Sequence, residues 1–472
     1  MLSFLKRARA LLGWYDDRSD DASQQNPVSH NGRPAGGTSA PVIIPRSAHT
    51  ISRNAISPNA VKVLYRLKNA GYQACLVGGG VRDLLLGREP KDFDVATDAH
   101  PEDVRRLFRN CRLIGRRFRL AHVVFGREVI EVATFRAFHE AEEDAGDALQ
   151  TDEGRLLRDN VYGNIEDDAW RRDFTVNALY YNIADFSVVD FTGGMADLKQ
   201  GLLRLIGDPE QRFREDAVRM LRAVRFAAKL GFRIEERCEQ TMLELAPLLE
   251  DIPPARLYEE VLKLFLGGTG LQAFEKLRHY GLFAQLFPLT EKALEQELEH
   301  FPLTLVNRAL ENTDARIAED KPVTPAFLFA ALLWEPMRQR FEVLQAQGVP
   351  PLEAVQEAGN EIVSQQARHI SIPKRFTLPM REIWNLQLRL EQRQGKRPQR
   401  LLSHPRFRAA YDFLLLRCAS GEAAEELGQW WTEFQALNPD EQAKAATPTD
   451  PARKRRRRRN RKPRGNTGDA QQ

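Results

Sequence analysis

The chain has 472 residues, 42% hydrophobic and 28% charged, which excludes wholesale disorder and is typical of a globular protein of roughly two to four domains. We expect neither a membrane span nor a clean signal peptide, because no uncharged apolar run approaches ~18 residues and bases interrupt the apolar N-terminal stretch. The four cysteines form no CxxC pair, which argues against a zinc ribbon or a disulfide framework and favours a reducing cytoplasm. The net charge is +4, but it is unevenly distributed along the chain.

The N-terminal part predicts a leader followed by an α/β head. Residues 16–48 are rich in Asp, Ser, Asn, Gly and Pro without periodicity, so we place a disordered leader over residues 1–50. Residues 59–70 have helical spacing and end at Gly71. The elements predicted next are a strand over 73–77, a short helix over 81–87, a strand over 92–97, a helix from 101 and two strands over 120–126 and 129–135. This alternation predicts a head with a mixed sheet over residues 51–205.

Strand patterns nearly vanish after residue 205. Helical periodicity predicts a neck over residues 206–270 and a helical body over residues 271–445. A disordered tail is expected over residues 446–472, because residues 453–464 hold ten Lys and Arg and no acid. Without those ten, the remaining 59 bases face 65 acids, a net charge of −6. Such a basic run is typical of a nucleic-acid contact, although a solvated tail has the same composition.

Three glycines, residues 78–80, follow the first strand of the head and lead into a helix. Glycine lets a backbone approach a ligand closely, and a helix N-terminus attracts anions. Arg82, one turn into the helix, could reach the same anion. Glycines also make plain tight turns, so this cluster alone is only a weak sign of a phosphate site.

Asp92 and Asp94 lie in the next predicted strand, where residues i and i+2 point to the same face. Two adjacent carboxylates are costly unless a cation neutralises them, and such oxygen ligands suit Mg²⁺ that also binds substrate phosphates. Two solvated acids in an exposed turn are the alternative. The glycine loop just before this pair favours a metal site.

Two further charged positions follow. Glu131 stands in an otherwise apolar strand, where an unpaired buried carboxylate would be costly. It would face the same cations if this strand lies beside residues 92–97, and otherwise it points to solvent. Arg171, Arg172 and Asp173 precede another strand. They form an internal salt bridge, or the arginines clamp a triphosphate while the aspartate serves the active centre.

The motif FREDAVRMLRAVRF, residues 213–226, predicts a polar stripe, because Asp216, Arg219, Arg222 and Arg225 share one face on a helix. Several arginines in a stripe can bond a base edge, a ribose or phosphates, and a solvent-facing salt-bridge stripe is the alternative. Other basic stretches, which could equally be solvated, are candidates for RNA contact. The RNA-binding candidates are Arg116, Arg117, Arg119, Lys374, Arg375, Arg455, Arg456 and Arg457.

Four motifs, taken in this order, resemble the class II tRNA nucleotidyltransferase and bacterial poly(A) polymerase family, within the polymerase-beta-like nucleotidyltransferases. They are LVGGGVRDLLLGREPKDFDVATDA, VIEVATFR, RRDFTVNALYY and REDAVRMLRAVRFAAKLGF, and the resemblance covers about residues 50–290. It implies an α+β fold, with a polymerase-beta-like head built on a mixed sheet and an all-helical body behind it.

Within the family, two activities share the head motifs. The stretches LFRNCRLIGRRFRLAHVVFG and HTISRNAISPNAVKVLYRLKNAGY, and the long helical part with its Arg-rich end, resemble the poly(A) polymerase branch. The absence of a His-Asp dipeptide excludes the fused phosphohydrolase domain of some CCA-adding enzymes. CCA addition to tRNA stays the alternative activity. A non-catalytic RNA-binding scaffold is disfavoured, because both acids at 92 and 94 are present.

The resemblance implies an enzyme that adds AMP from ATP to RNA 3′-hydroxyl ends with release of pyrophosphate, and a role in mRNA polyadenylation and RNA decay. Asp92 and Asp94 would hold two Mg²⁺ ions, and either Glu131 or Asp173 would complete the carboxylate set. Glu215, Asp216 and Arg219 match the base-reading motif, which the enzyme needs because it has no template. The implied ATP-binding residues are Gly79, Gly80, Arg82, Arg171, Arg172, Glu215, Asp216, Arg219 and Arg222.

The resemblance also implies partners and a location. We expect RNA 3′ ends and ATP as substrates, proteins of RNA decay or RNA-chaperone function as partners, and a monomer without an integral membrane span in the cytoplasm. Weak membrane association of residues 1–15 stays open.

Overall fold

The structure is a computed structural model that describes residues 40–115, 119–137, 161–297 and 304–447. The chain divides into two compact units, Met1–Leu286 and Phe287–Gln472. Within the described ranges, every helix is too short or too polar to cross a membrane. The predicted α+β class is confirmed, since a mixed sheet lies in the first unit and the second unit is helical throughout its described part.

The first unit is built on an eight-stranded sheet. Its strands are β1 Val42–Ile44, β2 Ala74–Val77, β3 Asp94–Thr97, β4 Cys111–Ile114, β5 Leu120–Phe125, β6 Glu128–Thr134, β7 Leu179–Asn182 and β8 Val188–Asp190. They lie in the order β1-β8-β7-β2-β3-β6-β5-β4. In the described sheet, β3 and β6 run parallel and the other neighbouring strands run antiparallel. Two short strands, β9 Leu202–Leu203 and β10 Arg233–Ile234, form a separate parallel pair.

Eleven α-helices of the described residues belong to this unit. They are α1 Pro58–Asn69, α2 Gly79–Leu85, α3 Pro101–Leu107, α4 Ile165–Trp170, α5 Gly194–Gln200, α6 Pro209–Glu215, α7 Val218–Leu230, α8 Glu236–Leu245, α9 Pro254–Phe265, α10 Gly270–His279 and α11 Leu282–Leu286. Helices α1 and α3 pack against the sheet. The side chains of β5 and β6 on the packed face are Ala121, Val123, Ile130 and Val132, which are buried.

The helix predicted over residues 59–70 is confirmed as α1, and its ends show why it forms. The Ser57 side chain accepts a hydrogen bond from the Asn59 N–H, and proline occupies the first helical position, where its missing N–H costs nothing. Ala60, Val63, Leu64 and Leu67 are buried, the spacing of a single helical face. The chain leaves the helix at Gly71, whose φ of +94° suits glycine.

Two elements differ from the sequence prediction. Residues 42–44, assigned above to a leader without structure, form edge strand β1, because their β-branched side chains favour pairing with β8. In the motif over residues 213–226, Asp216 was expected to share a helical face with the arginines, but it lies between two helices, α6 and α7. Asp216 is extended, with φ −155° and ψ 95°, and its side chain accepts from the Val218 N–H, so it starts a new helix instead of continuing the first.

The second unit contains ten described α-helices. They are α12 Pro288–Glu297, α13 Thr304–Ala318, α14 Pro325–Leu332, α15 Trp334–Ala346, α16 Pro351–Gln366, α17 Lys374–Leu390, α18 Arg397–Leu402, α19 Phe407–Ala419, α20 Glu425–Ala436 and α21 Pro439–Ala445. Two buried tryptophans anchor its core, and each finds a polar partner. The indole N–H of Trp384 donates to the Ala330 carbonyl at 3.1 Å and that of Trp431 to the Leu390 carbonyl at 2.8 Å.

A close backbone approach fixes the turn that follows Asp173. A Cβ atom on Gly194, at the start of α5, would lie 2.2 Å from the carbonyl oxygen of Thr175. Thr175 Oγ1 donates to Asp197 Oδ2 at 2.7 Å, and Asp190 Oδ1 accepts from the Gly194 N–H at 3.0 Å. Only glycine fits here, because any larger residue would push the turn away from the helix.

We predict that Gly194→Ala lowers the free energy of unfolding by about 3 kcal/mol, since the added methyl group overlaps backbone atoms that cannot move alone. The neighbouring Gly193→Ala is the control. Gly193 has a φ of +81° and open space around its Cα, so its substitution costs about 1 kcal/mol from backbone conformation only. Urea unfolding followed by circular dichroism measures both. Equal costs for the two variants would contradict the packing argument.

Candidate active site

The glycine loop passes between a carboxylate and a guanidinium. Gly78 has φ +75° and precedes α2, whose first residue is Gly79. A Cβ atom on Gly78 would lie 3.7 Å from Asp94 Oδ2 and 3.7 Å from Arg172 Nη1. The motif predicted to bind phosphate, the predicted metal ligand and one of the predicted arginines are therefore brought together at the C-terminal end of β2.

Three acidic residues gather at the start of β3. Asp94 is the first residue of β3 and pairs in register with Glu131 of the parallel strand β6, so both side chains leave the same face of the sheet. Asp92 is exposed and lies two residues before the strand. Burial, then the charge of Glu131 and more weakly that of Asp92, raise the pKa of Asp94 to about 6, although Arg172 opposes the shift. The cluster holds more negative charge than its arginine offsets.

This donor set fits a divalent cation that is shared with a substrate. Among the described residues, no three His, Cys, Asp or Glu side chains are arranged to enclose a metal ion by themselves. Mg²⁺ is usually held by one or two carboxylates and completes its coordination with water and substrate phosphates. Asp92 and Asp94 would supply those carboxylate oxygens, and a bound cation would favour the ionised form of Asp94, whose pKa burial and the charge of Glu131 raise.

Asp173 lies in a different environment from Asp94. Its Oδ2 accepts from Arg222 Nε at 2.8 Å, and its Oδ1 accepts from Asn177 Nδ2 at 3.2 Å and from the Phe174 N–H at 2.8 Å. Burial opposes its ionisation, but the charge of Arg222 and these hydrogen bonds hold the pKa of the carboxyl below its usual value. Between the two acids left open by the sequence, the register places Glu131 beside Asp94, while Asp173 is engaged in orienting Arg222.

The predicted phosphate-binding arginines are held in different ways. Arg172 is bound through Nε and Nη2 to Asp168 at 3.1 and 2.9 Å, and through Nε to the Tyr180 hydroxyl at 2.9 Å. Arg171 lies 3.5 Å from the same Asp168. Arg82, by contrast, is only 2% exposed. Asp168 and Tyr180 were not singled out from the sequence, although Asp168 stands three and four residues before the two arginines, the spacing of ion pairs on a helix.

Arg82 lies beneath the glycine loop. Its Nη1 donates to Asn177 Oδ1 at 2.6 Å and its Nε to Asp83 Oδ1 at 2.9 Å. A Cβ atom on Gly79 would meet Arg82 Nη2 at 3.4 Å. Because Asn177 also bonds Asp173, these contacts connect the glycine loop to the turn that carries Asp173.

The predicted base-reading residues are held by two sets of ion pairs at the junction of α6 and α7. Glu215 accepts from Arg212 Nη1 at 2.8 Å and from Arg219 Nη1 at 2.7 Å. Asp216 pairs with Arg256 Nη2 at 2.7 Å. Arg212, which the sequence analysis did not select, also donates to the carbonyl oxygens of residues 171 and 172 at 2.8 and 2.6 Å. Through Arg212, the predicted base-reading motif is thus fixed to the segment that holds Arg171 and Arg172.

The predicted RNA-binding residues are spread over the chain. Arg119 is exposed and pairs with Glu102 at 2.5 Å. Lys374 and Arg375 are exposed at the first turn of α17, and Arg375 lies over the Phe376 ring at 4.9 Å. Arg116, Arg117, Arg455, Arg456 and Arg457 lie outside the described residues.

Three protein-family models match the chain. Residues 74–204 match "Poly A polymerase head domain", residues 231–294 match "Probable RNA and SrmB- binding site of polymerase A", and residues 347–464 match "Polymerase A arginine-rich C-terminus". The matches follow one another along the chain and leave the α6–α7 motif between the first two.

Some known proteins are similar to this chain over nearly its whole length, and others over about half of it. The Poly(A) polymerase I of Salmonella typhimurium is 53% identical over 430 residues, which cover 89% of this chain and 92% of the relative. The CCA-adding enzyme of Lactobacillus helveticus is 41% identical over 216 residues, or 46% of this chain and 52% of the relative. The solved CCA-adding enzyme of Bacillus stearothermophilus with CTP is 27% identical with a TM-score of 0.53, covering 80% of this chain and 82% of that one. The chain therefore belongs to the bacterial poly(A) polymerase I family of nucleotidyltransferases.

Proposed function

We propose that this protein is a template-independent poly(A) polymerase, which transfers AMP from ATP to the 3′-hydroxyl of RNA and releases pyrophosphate. The observation that carries the proposal is the similarity to Poly(A) polymerase I through nearly the whole chain, together with an Asp-rich site at the head. The similarity to the CCA-adding enzyme of Lactobacillus helveticus ends within half of the chain, so the alternative activity is less well supported.

Asp92 and Asp94 would hold divalent metal, and we propose two Mg²⁺ ions as the cofactor. When bound, the metal activates the RNA hydroxyl and neutralises charge on the transferred phosphoryl group and the leaving pyrophosphate. Glu131 would face the same ions from β6, in register with Asp94. The protein's own contribution is to fix these oxygens on a rigid sheet, since positioning and charge neutralisation supply most of the catalysis in phosphoryl transfer.

The triphosphate of ATP would lie against the glycine loop. Arg172 would bind it, a role supported by its Nη1 near Gly78 and by Asp168 and Tyr180, which hold the rest of its guanidinium. Arg171 and the backbone of Gly79 and Gly80 would assist. Arg82, which is buried beneath the glycine loop, would stabilise the conformation of that loop.

Base selection would fall to Glu215, Asp216 and Arg219 at the start of α7. Without a template, protein groups must present hydrogen-bond partners in fixed positions, because a site built to bond one base leaves its polar groups unpaired with another. The pairing of Arg219 with Glu215 and of Asp216 with Arg256 fixes these positions. Arg222, held by Asp173, would complete this wall of the pocket.

RNA would also be bound by basic residues away from the head site. Lys374 and Arg375 are exposed in the second unit, and the family match that ends at residue 464 includes the Arg-rich run. Phosphate contacts of this kind bind RNA without reading its sequence. We place the reaction in the cytoplasm, because all four cysteines are free thiols in the structure.

We predict that Asp94→Asn lowers kcat at least about 100-fold, because the amide cannot carry the charge that neutralises the metal. Asp98→Asn is the matched control. Asp98 is exposed just after the same strand, and its Oδ1 accepts from the Gln73 N–H at 2.8 Å, a bond that asparagine retains. Steady-state extension of a short RNA in Mg²⁺ measures both variants, and circular dichroism checks the fold. Substantial Mg²⁺-dependent activity in folded Asp94→Asn would remove the metal-ligand assignment.

We predict that Arg219→Ala reduces the preference for ATP over CTP roughly tenfold, because Glu215 loses a partner and the base edge loses a fixed donor. The measurement is kcat/KM for each nucleotide with one RNA. Arg214→Ala is the control, since Arg214 pairs with Glu210 on the exposed side of α6. Base reading lies elsewhere if Arg219→Ala and Arg214→Ala discriminate as well as the unchanged protein.

A further inference from the structure

A row of charged and polar side chains extends from the catalytic carboxylates across three more strands of the sheet. Asp94 of β3 is opposite Glu131 of β6, Glu131 is opposite His122 of β5, and His122 is opposite Arg112 of β4. Directly paired residues project from the same face of a sheet, so these four side chains form one line. His122 Nε2 lies 3.4 Å from Glu131 Oε1. The negative end of the row is at the active site and the positive end at the sheet edge.

The face that carries this row is accessible. The Glu131 side chain is 48% exposed, and Arg112 at the edge is exposed. Ile114, two residues along β4 from Arg112, is 48% exposed, and Val129, two residues along β6 from Glu131, is 41% exposed. Among the described residues, Arg112 has no carboxylate partner. An exposed arginine can bind a backbone phosphate, and the apolar side chains beside it can pack against sugars or base faces.

The nucleotide-binding candidates lie on the other side of Asp94. There, β2 leads into the glycine loop, and Arg172 approaches both Gly78 and Asp94. The base-reading motif is fixed to the same side, because Arg212 bonds the backbone of residues 171 and 172. A transfer reaction needs the donor and the acceptor on opposite sides of the metal, aligned for attack. The face over β6, β5 and β4 is therefore the free side for the acceptor.

We propose that the last nucleotides of the RNA acceptor lie over the exposed face of β4, β5 and β6, with Arg112 bound to a backbone phosphate. This inference rests on the proposed function and specifies where its acceptor lies. His122 would bond the ribose or phosphate next to the reacting hydroxyl, and Ile114 and Val129 would pack against sugars or base faces. Arg112 and Asp94 are three β-strand spacings apart, or about 14 Å. About two nucleotides of an extended RNA chain cover this distance. None of these contacts reads a base edge, so acceptors of any terminal base are accommodated.

The test compares substitutions on the two faces of this part of the sheet. Arg112→Gln and His122→Gln remove groups of the row, and Arg105→Gln removes an equal charge from the exposed side of α3, which packs on the opposite face. The acceptor is a hexa-adenylate RNA, short enough that distant basic residues contribute little. Steady-state kinetics give KM for RNA, KM for ATP and kcat. Fluorescence anisotropy of the labelled hexamer without ATP gives the dissociation constant directly, and thermal unfolding confirms that each variant folds.

We expect Arg112→Gln to raise KM and Kd for the hexamer about tenfold, the worth of one charge-assisted phosphate contact, with KM for ATP unchanged. His122→Gln should raise both about threefold, as for a neutral hydrogen bond. Arg105→Gln should change neither. The proposal is overturned if Arg112→Gln binds the hexamer like the unchanged protein, or if Arg105→Gln weakens binding equally. Loss of kcat alone in His122→Gln would contradict its role in RNA binding. Failure of the proposed function shows separately, as the unchanged protein extending no RNA with ATP.

Discussion

The parallel pairing of β3 with β6 is the constraint on which the catalytic geometry depends. It places Asp94 directly opposite Glu131, two carboxylates that would repel each other in any arrangement without a cation. Burial adds to this repulsion and raises the pKa of Asp94 to about 6. Arg172 offsets only part of this charge. Under the proposed function, a metal ion that arrives with the substrate would neutralise the rest, and the sheet would hold the carboxylates in position for it.

A second group of carboxylates differs from Asp94, because an arginine of the protein neutralises each of them. Asp168 holds Arg172, Asp173 holds Arg222, and Glu215 pairs with both Arg212 and Arg219. Burial and the nearby charge of Arg219 lower the pKa of Arg212 to about 10, a cost that its bonds to Glu215 and to two backbone carbonyls offset. These pairs orient the arginines within the protein itself. Under the proposed function they would preorganise the groups that an enzyme without a template requires to select one base.

Local sequence patterns were sufficient for the class of fold. Residues 59–70 predict α1 through their spacing and Gly71, and the Asp-Phe-Asp pattern predicts metal-binding carboxylates, of which Asp94 lies in register with Glu131. Local sequence patterns could not predict contacts between distant segments of the chain. Whether Glu131 or Asp173 joins Asp94 depends on which strand neighbours β3, and the burial of Arg82 depends on Asn177, 95 residues away. The placement of Asp216 on a helical face was wrong, because its side chain accepts from the Val218 N–H and starts helix α7 instead of continuing α6. Asp168 was overlooked since its role is to hold another side chain.

The activity proposed for the chain is the addition of AMP to RNA ends without a template. The most direct measurement supplies the purified protein with Mg²⁺ and a short unstructured RNA, with each of the four nucleoside triphosphates in a separate reaction. The structure and its relatives predict a long ladder of products with ATP alone. The contradicting result is no extension of that RNA, together with addition of two C and one A to a tRNA lacking its 3′ end. It would identify a CCA-adding enzyme instead of a poly(A) polymerase.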